Sequence, residues 1–248
     1  FQTIVRTEIR RFMRIWVQTL VPPAITMTLY FVIFGALIGE RIGQMDGFDY
    51  MSFIVPGLIM MSVITNAYSN VAGSFFGSKF GRHVEEMLVS PIPNQVILLG
   101  YVTGGVARAL LVGGLVTLLS LFFTNFPIHS VLAIAFVTLL TAVLFSLLGF
   151  INGVYARNFD DVSVVPTFVL TPLTYLGGVF FSIDLLPKFW ADVAQLNPIL
   201  YVVNAFRFGI LGVSDISLTW AYTILVSMTV IAYIIAVRLL SNGAGVRS

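Results

Sequence analysis

The feature that most constrains this chain is the run from Tyr50 to Ser78, which contains no charged residue. The hydrocarbon core of a bilayer is about 30 Å thick, and about 20 apolar residues in a helix cross it. The run is longer than this, and the charged segment from Lys79 to Gln95 separates it from the next uncharged run, which begins at Val96. A charged segment between two membrane-length runs is expected in water, on one side of a bilayer.

Composition supports a membrane protein throughout. Hydrophobic residues make up 58% of the 248 residues and charged residues only 10%, whereas soluble domains carry about 25% charge. The net charge of +2 is too small to predict nucleic-acid binding. The chain has no cysteine, which excludes disulfides, thiolate zinc sites and a cysteine nucleophile.

The uncharged runs predict an all-α polytopic membrane protein. Six transmembrane helices are expected at about residues 17–38, 51–77, 96–123, 131–154, 162–182 and 218–240. The fifth contains Pro166 and Pro172, which remove backbone hydrogen bonds and are expected to kink the helix. The two halves of the chain show no visible repeat, which disfavours a secondary transporter built on inverted repeats.

The first 16 residues predict an amphipathic helix in the membrane interface. Apolar residues recur at helical spacing at Val5, Ile9, Phe12, Met13 and Trp16. Polar residues take the other face, at Arg6, Thr7, Arg10, Arg11 and Arg14. A basic amphipathic helix that ends in tryptophan favours the interface. Two roles remain open for it, a topological anchor and a moving gate, and the two are compatible.

Residues 185–211 contain two apolar pieces joined at Asn197 and Pro198. Each piece is too short to cross a bilayer, which favours a re-entrant or interfacial helical hairpin before the last span.

Basic residues predict the orientation of the chain through the positive-inside rule. With six spans and both termini on one side, that side holds nine basic residues: Arg6, Arg10, Arg11, Arg14, Lys79, Arg82, Arg157, Arg238 and Arg247. The other side holds three: Arg41, Lys188 and Arg207. The excess places both termini and residues 79–95 in the cytoplasm.

Three polar residues fall within the predicted spans and are candidates for the transport path. Arg108 is costly at this depth unless it is paired or hydrated, so it marks either a functional position or a side chain that snorkels or bonds helix-end carbonyls. Asn66 is interpreted as a residue that hydrogen-bonds between helices rather than one that binds a ligand. Asn152 lies near the inner end of the fourth span.

The residues predict no catalytic, cofactor-binding or metal site. His83 and His129 lie in loops on opposite sides of the predicted membrane, so neither serves a buried serine. Residues 73–80 have the wrong glycine–lysine spacing for a phosphate-binding loop. Charged residues within the spans are too few for a proton relay or a voltage sensor. Transport driven by energy from outside the chain is the remaining interpretation.

Two inner loops are candidates for contact with a soluble partner. The first contains a short helical pattern in which Val84, Met87 and Leu88 form an apolar face, while Glu85 and Glu86 are available to pair with basic residues. Pro91 and Pro93 end that helix. The second loop is the mixed-charge segment from Arg157 to Asp161. The alternative is a solvated connector without any partner.

Five stretches carry a resemblance to a known family: residues 11–23, 53–72, 85–93, 158–182 and 196–212. With them the whole chain, residues 1–248, resembles the membrane subunit of ABC-2 type transporters. More narrowly, it is similar to the YadH-type inner-membrane permeases of Gram-negative bacteria. The most family-specific part is Asn197 and Pro198 with Arg207 downstream, after a proline-broken fifth span.

The resemblance implies a dimer of this chain bound to two copies of a cytoplasmic ABC ATPase, which handles ATP and magnesium. It implies a multi-pass protein of the bacterial inner membrane that exports a polysaccharide, a lipid-linked glycan or a hydrophobic compound. The first and fifth spans would line the dimer interface, residues 185–211 would cap the path, and Phe1 to Trp16 would be the interfacial helix.

The resemblance also assigns the coupling helix that docks on the ATPase. Its expected residues are Arg82, His83, Glu85, Glu86, Met87, Leu88, Ser90 and Pro91, to which the second inner loop adds Asp160 and Asp161. The alternative function is a stand-alone membrane channel or scaffold without an ATPase. Charge reversal at Glu85 and Glu86 discriminates the two, because only the coupled permease depends on that surface.

Overall fold

The computed structural model describes residues 1–125 and 127–243, except the side chains of Ala36, Glu40 and Leu88. The α-helices, labelled α1 to α12 in chain order, are Gln2–Arg14, Trp16–Tyr30, Glu40–Ile42, Tyr50–Phe80, His83–Val89, Asn94–Ser120, Val131–Tyr155, Phe159–Val165, Thr171–Tyr175, Lys188–Gln195, Pro198–Leu211 and Leu218–Asn242. Two π-helical segments, Phe31–Gly39 and Pro166–Leu170, extend α2 and join α8 to α9. A 3₁₀ turn covers Ile183–Leu185.

Five helices in the described part of the chain are long and apolar enough to cross a membrane: Trp16–Gly39, Tyr50–Phe80, Asn94–Ser120, Val131–Tyr155 and Leu218–Asn242. They correspond to the predicted spans one to four and six, and they confirm a helical protein with several membrane helices. The predicted fifth span is a continuous helical run from Phe159 to Tyr175 followed by turns. That run is shorter than the others, and the count of six spans stays a prediction.

The helix α4 forms the centre of the bundle. Most of its residues are buried, and α6, α7 and α11 pack around it. Glycine allows the closest of these approaches, because a Cβ at Gly149 of α7 would collide with the carbonyl of Tyr68. At the other end of α4, a Cβ at Gly57 would lie 2.8 Å from the Cα of Val179. The small residues therefore bring backbones together, as they do at membrane helix interfaces.

The segment between α3 and α4 departs from the all-α prediction. Gln44–Met45 and Phe48–Asp49 form a two-residue antiparallel pair. Asp46 and Gly47 connect them with φ of +52° and +80°, the backbone that a tight hairpin turn requires and that Asp-Gly favours. The turn chemistry was readable in the sequence, but the flanking strands are too short to produce an alternating pattern.

The proline-containing run from Phe159 to Tyr175 remains helical through both prolines. Its hydrogen-bond pattern changes from α to π at Pro166, whose carbonyl accepts a 2.9 Å bond from Thr171 Oγ1. Pro172 is the second residue of α9 but lies inside this continuous run, so its missing N–H removes one backbone hydrogen bond there. The kink angle itself stays a prediction.

Residues 185–211 form two helices, α10 and α11, that meet at the predicted junction. Asn197 begins α11 by accepting a 3.0 Å hydrogen bond from the backbone N–H of Ile199, and Pro198 occupies the first helical position. At its other end, α11 contacts α7, because Ser130 N donates to the Gly209 carbonyl at 2.8 Å. The re-entrant placement of this pair stays a prediction.

Candidate functional site

The short helix α5 lies between the two longest buried helices and has well-defined ends. It begins after Arg82, which adopts a left-handed conformation with φ of +60°, and it ends at Ser90, whose backbone is extended. The Ser90 hydroxyl donates 2.7 Å to the Met87 carbonyl. Glu85 and Glu86 occupy the first turn, where the helix dipole favours negative charge. We call the end of the bundle that carries α5 the α5 end.

The apolar face of α5 was predicted to dock on a partner, but in the structure it turns toward the bundle. Val84 is only 1% exposed and belongs to the core of this chain, so it is not available to a partner. Met87 is half-buried, and the side chain of Leu88 lies outside the described residues. Residues three and four apart share a helix face, and this face turns toward the bundle. The solvent-facing positions are Arg82, His83, Glu85, Glu86, Val89 and Pro91, while Ser90 is half-buried.

Large apolar side chains are exposed beside these charges. Val89 is 88% exposed, Phe80 68% and Phe159 60%. The Phe80 and Phe159 rings lie 5.2 Å apart and connect the end of α4 with the start of α8. Charged and apolar groups thus share one surface at the α5 end, a combination typical of protein interfaces.

Lys79 connects this surface to the second predicted inner loop. Its Nζ donates to the carbonyls of Val154 and Ala156 at 2.7 and 2.9 Å. These are orphan carbonyls at the end of α7, which a cation stabilises. The segment that leads into α5 is therefore attached to the segment that leads into α8.

The second inner loop has one structural carboxylate and one exposed carboxylate. Asn158 caps α8 by accepting a 2.8 Å bond from Asp161 N, and Asp161 Oδ2 in turn accepts a 2.8 Å bond from Arg157 N. Asp160 is exposed and Asp161 half-buried. Of the two aspartates, Asp160 therefore presents the more accessible charge.

The N-terminal helix α1 docks on α4 and α6 through a buried polar cluster. Glu8 is only 4% exposed and accepts a 2.6 Å bond from Ser74 Oγ of α4. Arg11 lies 3.1 Å from the Glu8 carboxylate and donates to Asn70 Oδ1 at 2.8 Å. Glycine at position 104 lets the backbone of α6 come close to α1, because a Cβ at Gly104 would lie only 2.6 Å from Glu8 Cβ. Prediction assigned Arg11 to the polar outer face, whereas it is turned toward α4.

The other three arginines of α1 and the adjoining Trp16 are exposed. Arg6, Arg10 and Arg14 lie on the surface, and Trp16, at the start of α2, is 55% exposed. A bend at Ile15, with φ of −110° and ψ of 38°, separates the two helices. The predicted boundary between an interfacial helix and a first span is thus a change of helix direction.

Arg108 reaches the same cluster from α6. Its Nη1 lies 3.5 Å from Asn70 Oδ1, the oxygen that Arg11 also contacts. Within the described part of the chain, the buried Nε atoms of both arginines have no hydrogen-bond partner. Two guanidinium groups therefore converge on one amide oxygen, with one carboxylate, Glu8, to balance them.

The other two intramembrane polar candidates bond locally. Asn66 is buried and donates 3.0 Å to the Ser62 carbonyl of its own helix rather than across a helix interface. Asn152 donates 3.1 Å to the Val162 carbonyl and so connects α7 with α8.

Asn152 also lines a groove of about 460 Å³ between α4, α7, α11 and the run from Phe159 to Tyr175. Among the described residues that line it, none is charged. Its polar groups are Tyr68, Asn152 and Tyr155, and the rest of the wall is aliphatic or aromatic. The groove therefore suits an apolar group with a polar end.

Similarity to known proteins identifies the family of this chain. The ABC-2 type transporter family matches residues 1–211. The inner membrane transport permease YadH of Escherichia coli strain K12 is 64% identical over 241 residues, which cover 97% of this chain and 94% of YadH. The chain belongs to the ABC-2 type transporter family.

A more distant relative also matches. Nodulation protein J of Rhizobium leguminosarum bv. viciae is 26% identical over 185 residues, which cover 74% of this chain and 71% of that protein. The predicted resemblance is confirmed across the chain, which is the membrane component of an ABC transporter.

The residues predicted to be most family-specific lie at the end of the bundle opposite α5. Asn197 is buried and donates through Nδ2 to the Leu173 carbonyl, which fastens the start of α11 to α9. Arg207 is completely buried and donates through Nη2 to the Gly178 carbonyl. The prediction counted Arg207 as an outer-side charge, whereas it lies inside the protein.

The guanidinium of Arg207 has two further neighbours. Its Cζ lies 3.8 Å from the centre of the Phe53 ring, a cation–π contact. Its Nη1 lies 3.7 Å from Asp215 Oδ2, and the same oxygen accepts a 3.2 Å bond from Ile183 N. Arg207 thus connects α11 to α4, to the turns after α9 and to the segment before α12.

Several contacts of the candidate site were not predicted. Glu8, Asn70 and Ser74 form the buried cluster, yet only the arginines of α1 were singled out. The signal available in the sequence was a single acidic residue among four arginines at helical spacing from Ile4 and Phe12. This pattern places Glu8 on the α1 face that packs inward.

Proposed function

We propose that this ABC-2 chain is the permease of an ATP-driven exporter and that α5 is its coupling helix. A separate cytoplasmic ATPase, present in two copies and carrying ATP and magnesium, docks on α5 and on the loop around Asp160. The ATPase moves α5, and α4 and α7 transmit that movement into the membrane.

The observation that carries this proposal is the combination of exposure and attachment at the α5 end. Glu85, Glu86 and Val89 face outward, while Val84 of the same helix is held in the core. Lys79 ties the start of this segment to the end of α7. A force applied to the exposed face therefore reaches two membrane helices rather than a loose loop.

The translocation path is proposed at a homodimer interface. The first membrane helix is poorly covered, with Ile25 and Leu29 more than half exposed, and Phe168 of the fifth predicted span is 73% exposed. These two regions meet within one protomer, because the hydroxyls of Tyr30 and Tyr175 lie 2.9 Å apart. Their exposed sides supply a continuous apolar surface for a second copy.

The substrate class is proposed from the groove beside Asn152. Its apolar wall and its few polar groups favour a hydrophobic compound or the lipid part of a lipid-linked glycan over a bare polysaccharide. Residues 185–211 cap the path on the outer side. The protein lies in the bacterial inner membrane with both termini in the cytoplasm, which agrees with the name of the YadH relative, an inner membrane transport permease, and with the bias of basic residues.

The test is a charge reversal of the proposed docking surface. The tagged chain is purified from its native membranes, and the co-purified ATPase is quantified by mass spectrometry and by ATP hydrolysis. We expect the E85K/E86K variant to retain about tenfold less ATPase, because like charges across an interface cost more than about 1.4 kcal/mol. The matched control is D184K/D192K, an equal reversal at exposed residues of the opposite end.

Two outcomes would contradict the proposal. The first is an equal loss of co-purified ATPase in E85K/E86K and D184K/D192K, which would indicate a general effect of charge. The second is a parent chain that transports its substrate without any ATPase. That result would favour the alternative, a stand-alone channel or scaffold.

A further inference from the structure

A groove of about 760 Å³ runs along one side of α1. The residues that line it are Thr7, Arg10, Arg11, Arg14 and Ile15, which share a helix face by their spacing. Three of the five are arginines, so the groove is a strongly positive concavity. Docking of α1 onto α4 and α6 uses Glu8, Arg11 and Phe12, and it leaves Arg10 and Arg14 exposed at the groove.

The positive charge at this groove is not balanced within the described part of the chain. Glu8 neutralises one guanidinium, that of Arg11. Arg108 brings another toward the same Asn70 oxygen, and Arg10 and Arg14 are exposed beside them. The buried Nε atoms of Arg11 and Arg108 also lack acceptors in the described residues. The site therefore has more donors and more positive charge than the described residues satisfy.

The surroundings of the groove are apolar on the side of the membrane. It ends at Ile15, where the first membrane helix begins, and the adjoining Trp16, Val17 and Ile25 are each more than half exposed. Tryptophan favours the headgroup level of a bilayer. A ligand that fits this place has an anionic head for the arginines and hydrocarbon chains for the exposed side of α2.

We propose that the groove binds the phosphate of an anionic phospholipid from the leaflet in which α1 lies. Arg10 and Arg14 donate to the phosphate oxygens, since guanidinium groups match phosphate geometry. Arg11 and Arg108 add positive electrostatic potential from the buried side of the groove. The acyl chains lie along α2. The lipid thereby fixes α1 at the interface, and this binding does not depend on an ATPase partner.

The experiment uses Trp16 as a local reporter. In a W190F/W220F background, Trp16 is the one tryptophan that remains of three. Its fluorescence is quenched by phospholipids that are brominated near the top of their acyl chains. The chain is reconstituted in vesicles in which the brominated lipid is either phosphatidylglycerol or phosphatidylcholine at equal fraction. We expect stronger quenching by brominated phosphatidylglycerol, which corresponds to preferential binding beside Trp16.

Variants then separate a site from general surface attraction. R10Q and R14Q are each expected to weaken the preference for phosphatidylglycerol about fivefold, because a basic residue near an anionic membrane surface contributes about 1 kcal/mol and about 1.4 kcal/mol corresponds to a tenfold change. R6Q removes the same charge from α1 at an exposed position that does not line the groove, and it should leave the preference nearly unchanged.

Three results would overturn the proposal. Equal quenching by the two lipids in the parent protein would show that no preferential site exists. An equal loss of this preference in R6Q and R10Q would show that it depends on the net charge of α1 and not on a site. Displacement of brominated phosphatidylglycerol by millimolar inorganic phosphate would assign the groove to a soluble phosphate instead of a lipid.

Discussion

The ammonium of Lys79 lies 2.7 Å from the carbonyl oxygen of Val154, and the two residues belong to the adjoining ends of α4 and α7. Lys79 also reaches the Ala156 carbonyl at 2.9 Å. A helix leaves its last carbonyls without partners, and a lysine there supplies both hydrogen bonds and a favourable charge. This contact makes the two segments that we propose to meet the ATPase parts of one unit.

The first prediction is that K79M destabilises the protein and weakens coupling. Loss of two charge-assisted bonds from a half-buried site is expected to cost about 1–2 kcal/mol, and the melting temperature should fall by about 2–6 °C. Thermal unfolding in detergent measures the first effect, and ATPase stimulation measures the second. K188M changes the other lysine of the chain, which is exposed, and should change neither. A K79M protein that melts with the parent would contradict the proposed cap.

The second prediction concerns the buried bond between Glu8 and Ser74. S74A removes the 2.6 Å donor to the carboxylate and is expected to cost about 1–3 kcal/mol, because Glu8 stays buried with one partner fewer. E8Q should cost a similar amount, and the S74A/E8Q double variant should cost less than the sum of the two. T7A, at an exposed residue of α1, is the control for unfolding measurements. Additive losses would show that the two side chains are not coupled.

The third prediction concerns Arg207 and Asp215. R207M leaves the Gly178 carbonyl and a buried carboxylate without the guanidinium, so we expect a loss of about 3–5 kcal/mol and a lower yield of folded protein. D215N in the R207M background should recover part of the loss, because it removes the unpaired charge. R41M tests an exposed arginine and should remain near the parent. A double variant as unstable as the two losses added together would argue against the pairing.

Sequence patterns predicted those features that are local to a helix. The uncharged run after Tyr50 required a membrane helix, and the prolines after Ser90 required α5 to stop. The partner of a helix face lies elsewhere in the chain, and periodicity does not identify it. Val84 was expected to face a partner because one face of α5 is apolar. In the structure α4 packs against α5, and Val84 is buried in the core.

The candidate site shows the same limit for polar residues. Glu8 and Ser74 are 66 positions apart. Glu8 stands out as the single acidic residue of α1, but nothing in the sequence pairs it with Ser74. Arg207 was counted as an outer-side charge because it lies in residues 185–211, which were expected on that side, yet it is buried against Phe53 from another helix. Such residues become visible only when α1, α4 and α11 are packed together.

The fourth prediction fixes the orientation of the bundle, on which the proposed coupling depends. The chain contains no cysteine, so a single introduced thiol reports its own side of the membrane without background. V89C at the α5 end and I128C between α6 and α7 place thiols at residues that are 88% and 60% exposed. We expect a membrane-impermeant maleimide to label V89C only in inside-out vesicles and I128C only in right-side-out vesicles, since the basic excess places the α5 end in the cytoplasm. The reverse pattern would put α5 out of reach of any cytoplasmic ATPase.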